Sequence, residues 1–117
     1  MIGNKIHNLA KKLWPINRNI TGTGIRESLS IIKELLPELK IVDIPAGTRV
    51  FDLIIPYEWN ITSSWIETPD GSKICQYEYN NLHVLGYSCP VEKYVYLYEL
   101  NKHLFSLPDQ PNAIPYV

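Results

Sequence analysis

The side chains best suited to hold a ligand are Asn17, Arg18 and Thr21, in one polar stretch, with Asn81 and His83 further along. Arg18 carries a planar fork of donors that can grip a carboxylate by two parallel hydrogen bonds, and Asn81 can bond a peptide group. Covalent or metal chemistry finds less support. His7, His83 and His103 are far apart, and none belongs to a His-Glu-x-x-His or Cys-x-x-Cys pair. Cys75 and Cys89 have no basic neighbour that would lower a thiol pKa and read as small hydrophobes. The acids Asp43, Asp52, Glu58, Glu67, Asp70 and Glu78 are dispersed, so spacing names no catalytic carboxylate pair. Thr21-Gly22-Thr23-Gly24 precedes a helical pattern but lacks a P-loop lysine, and its expected role is helix capping.

These residues must be positioned by short elements. Ile2, Ile6, Leu9, Ala10 and Leu13 recur at three- and four-residue steps, which predicts an amphipathic helix over 2–14 that Pro15 stops. Ile25, Leu29, Ile32, Leu35 and Leu36 form a second stripe, ended by Pro37. The two make a helical hairpin with a polar connection over 17–24. The period then shortens. Residues 41–44 and 50–55 are β-branched and bounded by Pro45, Gly47 and Pro56, as strands are. Residues 64–68 and 73–79 flank Pro69-Asp70-Gly71-Ser72, a tight turn between two runs, and predict a β-hairpin; 82–87 predicts another strand. A short helix is expected near 98–104. The proline-rich residues 107–117 read as an extended connector. The fold class is therefore α+β: an N-terminal helical hairpin, a small, mainly antiparallel β unit and a short C-terminal helix. Tyr77, Tyr79, Tyr87, Tyr94, Tyr96 and Tyr98 can stack on sugars, bases or peptide groups if exposed on one face, but packing in the β core is the simpler expectation.

Composition bounds the rest. With 117 residues, 45% hydrophobic and 20% charged, the chain has material for one small domain. Its net charge of -1 gives no field to steer it onto nucleic acid or anionic lipid. Apolar runs are too short to span a bilayer, and the first residues lack the pattern of a signal peptide. Two cysteines make no disulfide framework, so a reducing compartment, the cytoplasm, is expected.

Longer stretches carry more information than any short motif. Leu13-Trp14-Pro15-Ile16-Asn17-Arg18-Asn19-Ile20-Thr21-Gly22-Thr23-Gly24, then Ile44-Pro45-Ala46-Gly47-Thr48-Arg49-Val50-Phe51-Asp52, then Pro56-Tyr57-Glu58-Trp59-Asn60-Ile61, Asn81-Leu82-His83-Val84 and Leu107-Pro108-Asp109-Gln110-Pro111 occur in that order. Together they resemble the opening of a family of bacterial and archaeal zinc aminopeptidase-like proteins, some labelled polysaccharide-biosynthesis proteins with an aminopeptidase-like domain. The resemblance implies that residues 1–47 belong to a peptidase-like domain, that 48–106 form a small inserted β-rich domain, and that 107–117 lead toward the peptidase core. It implies zinc for the complete enzyme, yet the family's His, Asp and Glu metal motifs have no counterpart here. No catalytic residue, metal ligand or cofactor is therefore assigned to this chain.

The resulting expectation is a non-catalytic N-terminal segment that shapes or covers the substrate site of an aminopeptidase-like hydrolase. Its partners would be the remainder of the peptidase domain, a peptide-like or sugar-conjugate substrate and, through the uncovered apolar helix faces, a second copy in a homo-oligomer. Nucleic acid and membrane are not expected. The alternative is a stand-alone protein- or carbohydrate-binding module that uses a face rich in Tyr and Trp, including Trp59 or Trp65.

Overall fold

The computed structural model describes residues 1–115 of the chain, which falls into two compact units, Met1–Tyr87 and Ser88–Val117. In the first unit, α1 (Ile2–Leu13) and α2 (Thr23–Leu35) follow the two apolar stripes. Lys11 and Lys12 lie in the last turn of α1, beside the negative end of its dipole. Pro15 and Pro37 stop the two helices as expected.

Capping comes from farther away than expected. Arg18 Nη1 donates to the Leu13 carbonyl at 2.6 Å, and Asn81 Nδ2 donates to the Trp14 carbonyl at 2.8 Å. Both acceptors belong to the end of α1, where helical partners run out. At the start of α2 the N-cap is Gly22, which has no side chain to offer. Asn60 substitutes for it: its Oδ1 accepts from Thr23 N at 2.8 Å and from Thr23 Oγ1 at 2.7 Å. Thr21-Gly22-Thr23-Gly24 thus receives a cap and supplies none from its own N-cap.

The strands are shorter than the patterns suggested. β1 (Arg49–Val50) and β2 (Leu53–Ile54) pair antiparallel, with Arg49 opposite Ile54 and Val50 opposite Leu53. Bonds from Ile55 N to Thr48 O and Gly47 N to Ile55 O extend the ladder toward its base. Residues 41–44, expected as a strand, have no ladder partner and are irregular. β3 (Ile66–Glu67) and β4 (Lys73–Ile74) form the expected second hairpin, with Glu67 opposite Lys73. Its turn is built by Asp70, whose Oδ1 accepts from Thr68 Oγ1 and from Ser72 N, and by Gly71 at φ 83°. The expected strand over 82–87 is absent. Asn81–His83 form a 3-10 turn, because Asn80 Oδ1 accepts from Leu82 N at 3.0 Å and offers the backbone a local alternative to a ladder.

In the second unit, residues 88–96 are irregular, followed by α3 (Leu97–Leu100) and a 3-10 turn at Asn101–His103. The proline-rich tail is turned instead of extended. Gln110 N bonds Leu107 O and Ala113 N bonds Gln110 O, each at 2.9 Å, with Pro108 and Pro111 at the second position of the two turns that proline favours. Tyr116 and Val117, part of the expected connector, lie outside the described residues.

These elements form the α+β arrangement the patterns predict, yet they enclose no apolar core. No hydrophobic side chain among the described residues is buried; only Gly22 and Ser28 are. The chain exposes 10327 Å², against roughly 6,500 Å² for a folded monomer of its mass. The stripes of α1 and α2 do not cover each other: Ile6 is 63% and Leu35 60% exposed. The tyrosines expected in a β core are instead largely outside it, with Tyr79, Tyr94, Tyr96 and Tyr98 all exposed. The two hairpins have only two residue pairs each and present no sheet face wide enough to cover them. No helix among the described residues is long and apolar enough to cross a membrane.

Candidate functional site

The polar connection between α1 and α2 is pinned in the first unit at several points, and concavities form beside it. Thr21 Oγ1 donates to the Tyr57 carbonyl at 3.4 Å and lies 2.6 Å from Tyr87 Oη, so the tyrosine hydroxyl is placed to donate back. The Tyr87 ring in turn lies 6.1 Å from that of Trp59. Close backbone approach explains two glycines. A Cβ on Gly24 would lie 1.8 Å from the Asn17 carbonyl oxygen, and one on Gly22, at φ 104°, would lie 2.6 Å from that of Trp59. Neither position has room for a side chain.

Arg26 completes the attachment of α2. Its guanidinium meets both Glu58 oxygens, Nη1 to Oε1 and Nη2 to Oε2, the second at 3.0 Å. The hydrogen bond from Arg26 holds the Glu58 carboxyl below the ordinary carboxylate range, and Glu58 raises the Arg26 guanidinium in return. This is the fork-on-fork geometry that sets direction as well as distance.

Beside this joint lies a cleft of about 300 Å³, lined among others by Asn17, Thr23, Glu27, Trp59, Asn60 and Tyr77. A second, of about 200 Å³, is lined among others by Trp14, Tyr79, Asn80 and Asn81. Pro15 and Tyr77 line both, so a single wall separates them. Burial, and then the nearby Glu78 charge, raise the Tyr77 phenol above its ordinary value and keep it a neutral hydrogen-bonding group. The combined lining offers amides, the carboxylates of Glu27 and Glu78, the phenols of Tyr77 and Tyr79, and aromatic faces. That set suits recognition of polar groups attached to an apolar skeleton.

The five residues singled out from sequence divide between cleft and scaffold. Asn17 lines the larger cleft and Asn81 the smaller. Asn17 Oδ1 also accepts from Asn19 Nδ2 at 2.7 Å, and the Asn81 amide caps α1. Arg18 and Thr21 bond within the fold as described and line neither cleft. His83 Nδ1 donates to the Gln76 carbonyl at 3.0 Å, which fixes the ring's donor on that side. Asn60 was missed, and Trp59 and Tyr77 were marked only as rings that could stack on a ligand, not as neighbours of the polar connection. The role of Asn60 depends on a partner 37 residues away, and only the polar break within Trp59-Asn60-Ile61 marked it.

Residues 58–117 match the domain of unknown function DUF2172, and the chain belongs to that family. It is also 42% identical over 115 residues to a Clostridium acetobutylicum protein described as "Putative polysaccharide biosynthesis protein with aminopeptidase-like domain". That alignment takes in 98% of this chain and 26% of the relative. A crystal structure of a "putative peptidase" from Clostridium acetobutylicum superposes with a TM-score of 0.87 at 41% identity, over 93% of this chain and 26% of that one. The chain thus spans about a quarter of the length of the proteins it matches.

Proposed function

We propose that this chain is the non-catalytic N-terminal segment of a zinc-dependent aminopeptidase-like hydrolase, and that it shapes or covers that enzyme's substrate site. The observation that carries the reading is the coincidence of an almost complete match to one quarter of a peptidase-like relative with a fold whose described residues include no buried apolar side chain. A segment of a larger fold has its core completed by the rest of that fold.

Among the described residues, no three His, Cys, Asp or Glu side chains come together as a metal site requires. The residues present do not fit zinc, so the ion belongs to the remainder of the enzyme in this reading and no step of the reaction is routed through this segment. Its own contribution is recognition. Asn17 and Asn81 face the two clefts with amide groups, while Tyr77 and Trp59 supply ring faces to a peptide-like or sugar-conjugate substrate. Cys75 and Cys89 are free and exposed, which suits a reducing, cytoplasmic setting.

The test uses a chimera in which this chain replaces its matching quarter of the Clostridium acetobutylicum relative, assayed on aminoacyl anilides and on amino-sugar conjugates. Asn17→Ala and Asn81→Ala are expected to raise KM several-fold while kcat stays within about twofold, the signature of lost uniform binding. Unchanged KM in both variants would remove this segment from the substrate site.

A second reading, a module that binds protein or carbohydrate by itself, is favoured by one observation. Tyr96 and Tyr98 stack with centroids 5.7 Å apart and planes 15° apart, and both are exposed together with Tyr94. Such a platform suits a sugar ring.

A further inference from the structure

The hairpin β1–β2 turns through two residues, Phe51 and Asp52, and Phe51 sits there at φ 54°. The first central position of a two-residue hairpin with positive φ at that residue alone is glycine's position, because a Cβ crowds the backbone there. A phenylalanine holds that conformation only under strain. The Phe51 side chain, 93% exposed, gains no burial that would offset it. Tyr87, at φ 63°, shows the contrast: its hydroxyl meets Thr21 and its ring faces Trp59.

The rest of the hairpin enforces the strained tip. Arg49 Nε donates to the Phe51 carbonyl at 3.3 Å, and the ladder closes on both sides of the turn. Leu53 and Ile54 on β2, and Val42 and Ile44 just before the hairpin, are exposed as well. An aromatic ring held out at the end of a braced hairpin, with an apolar surface behind it, has the form of an anchor residue.

We infer that Phe51 is a docking knob that inserts into an apolar pocket of the same polypeptide, in the three quarters of the peptidase-like fold that lies outside this segment. The inference rests on the reading of the chain as such a segment. The pocket is placed within one polypeptide because the proteins matched here extend well beyond the matched quarter, and the unit that carries this surface, Met1–Tyr87, buries no apolar side chain of its own. Its anchoring ring would fix the hairpin, and with it the segment, against the enzyme body.

The sign of one stability change discriminates. Phe51→Gly relieves the strain, so at a tip that stays in solvent it raises the melting temperature or leaves it unchanged. At a tip buried in a pocket, loss of the ring outweighs that relief, and the melting temperature of the chimera falls. A photo-crosslinking amino acid in place of Phe51 identifies the pocket, with the same substitution at Ile6 on α1 as reference. A lowered melting temperature together with a Phe51 cross-link into the same polypeptide, outside this segment, is the expected result. An unchanged or raised melting temperature, a cross-link to a second copy, or no cross-link overturns the inference. If Ile6 cross-links to the body and Phe51 does not, the docking knob fails while the segment reading stands; if neither does, the segment reading fails too.

Discussion

Asn60 caps α2 from 37 residues away, with its Oδ1 accepting both the backbone N–H and the hydroxyl of Thr23. The first turn of the helix is therefore completed by a residue just ahead of the second hairpin, and the two regions cannot separate without exposing orphan donors. Asn60→Ala should cost about 1 kcal/mol, the usual worth of an N-cap. Asn60→Asp should keep most of it, because a carboxylate oxygen accepts equally well at the positive end of the helix dipole. Denaturation midpoints of the two variants check this, and equal losses from both would contradict it.

Glu58 and Arg26 predict an acid-sensitive joint. The Glu58 pKa is lowered in the folded chain, chiefly by the hydrogen bond from Arg26, so its contribution is present above the ordinary value of 4.5 and is lost as pH falls through the lower, folded value. Asp70 behaves in the same direction because of its bonds from Thr68 and Ser72. Stability should thus decline below about pH 4.5, and Glu58→Gln should flatten part of that decline. A set of urea midpoints across the acid range reads it directly, as does the carboxyl chemical shift of Glu58 in a pH titration.

Two glycines on helices should respond oppositely to alanine. Gly3 in α1 has nothing within 4 Å of the place a methyl would occupy, so Gly3→Ala should stabilise by up to about 1 kcal/mol through helix propensity. Gly24 in α2 would place the same methyl on the Asn17 carbonyl oxygen, and backbone cannot yield as a side chain can. Gly24→Ala should be strongly destabilising, and α2 or the 14–22 connection must shift. Thermal melts of the pair settle the comparison.

Much of this fold was legible because its signals are local. The stripes Ile2-Ile6-Leu9-Leu13 and Ile25-Leu29-Ile32 fix two helices, Pro15 and Pro37 stop them, and Asp70-Gly71 turns the second hairpin. What failed depended on distant partners. A strand pattern at residues 41–44 is not a strand when no neighbour supplies a ladder, and Asn80 diverted the chain into a 3-10 turn by a bond across two residues. The tyrosine pattern suggested a core because apolar bodies usually find cover, but Tyr79, Tyr87, Tyr94, Tyr96 and Tyr98 are exposed, and no apolar side chain among the described residues is buried. In the candidate site, polarity singled out Asn17, Asn81 and Arg18 alike; the first two line the clefts, whereas Arg18 is bonded to the end of α1.

The central claim is that the exposed stripes of α1 and α2 are faces completed by a larger peptidase-like fold. Amide hydrogen exchange of these two helices, compared between the isolated 117-residue chain and the chimera with the Clostridium acetobutylicum relative, tests it most directly. The account predicts exchange from α1 and α2 slowed by orders of magnitude in the chimera. Equal exchange in the two proteins would contradict it.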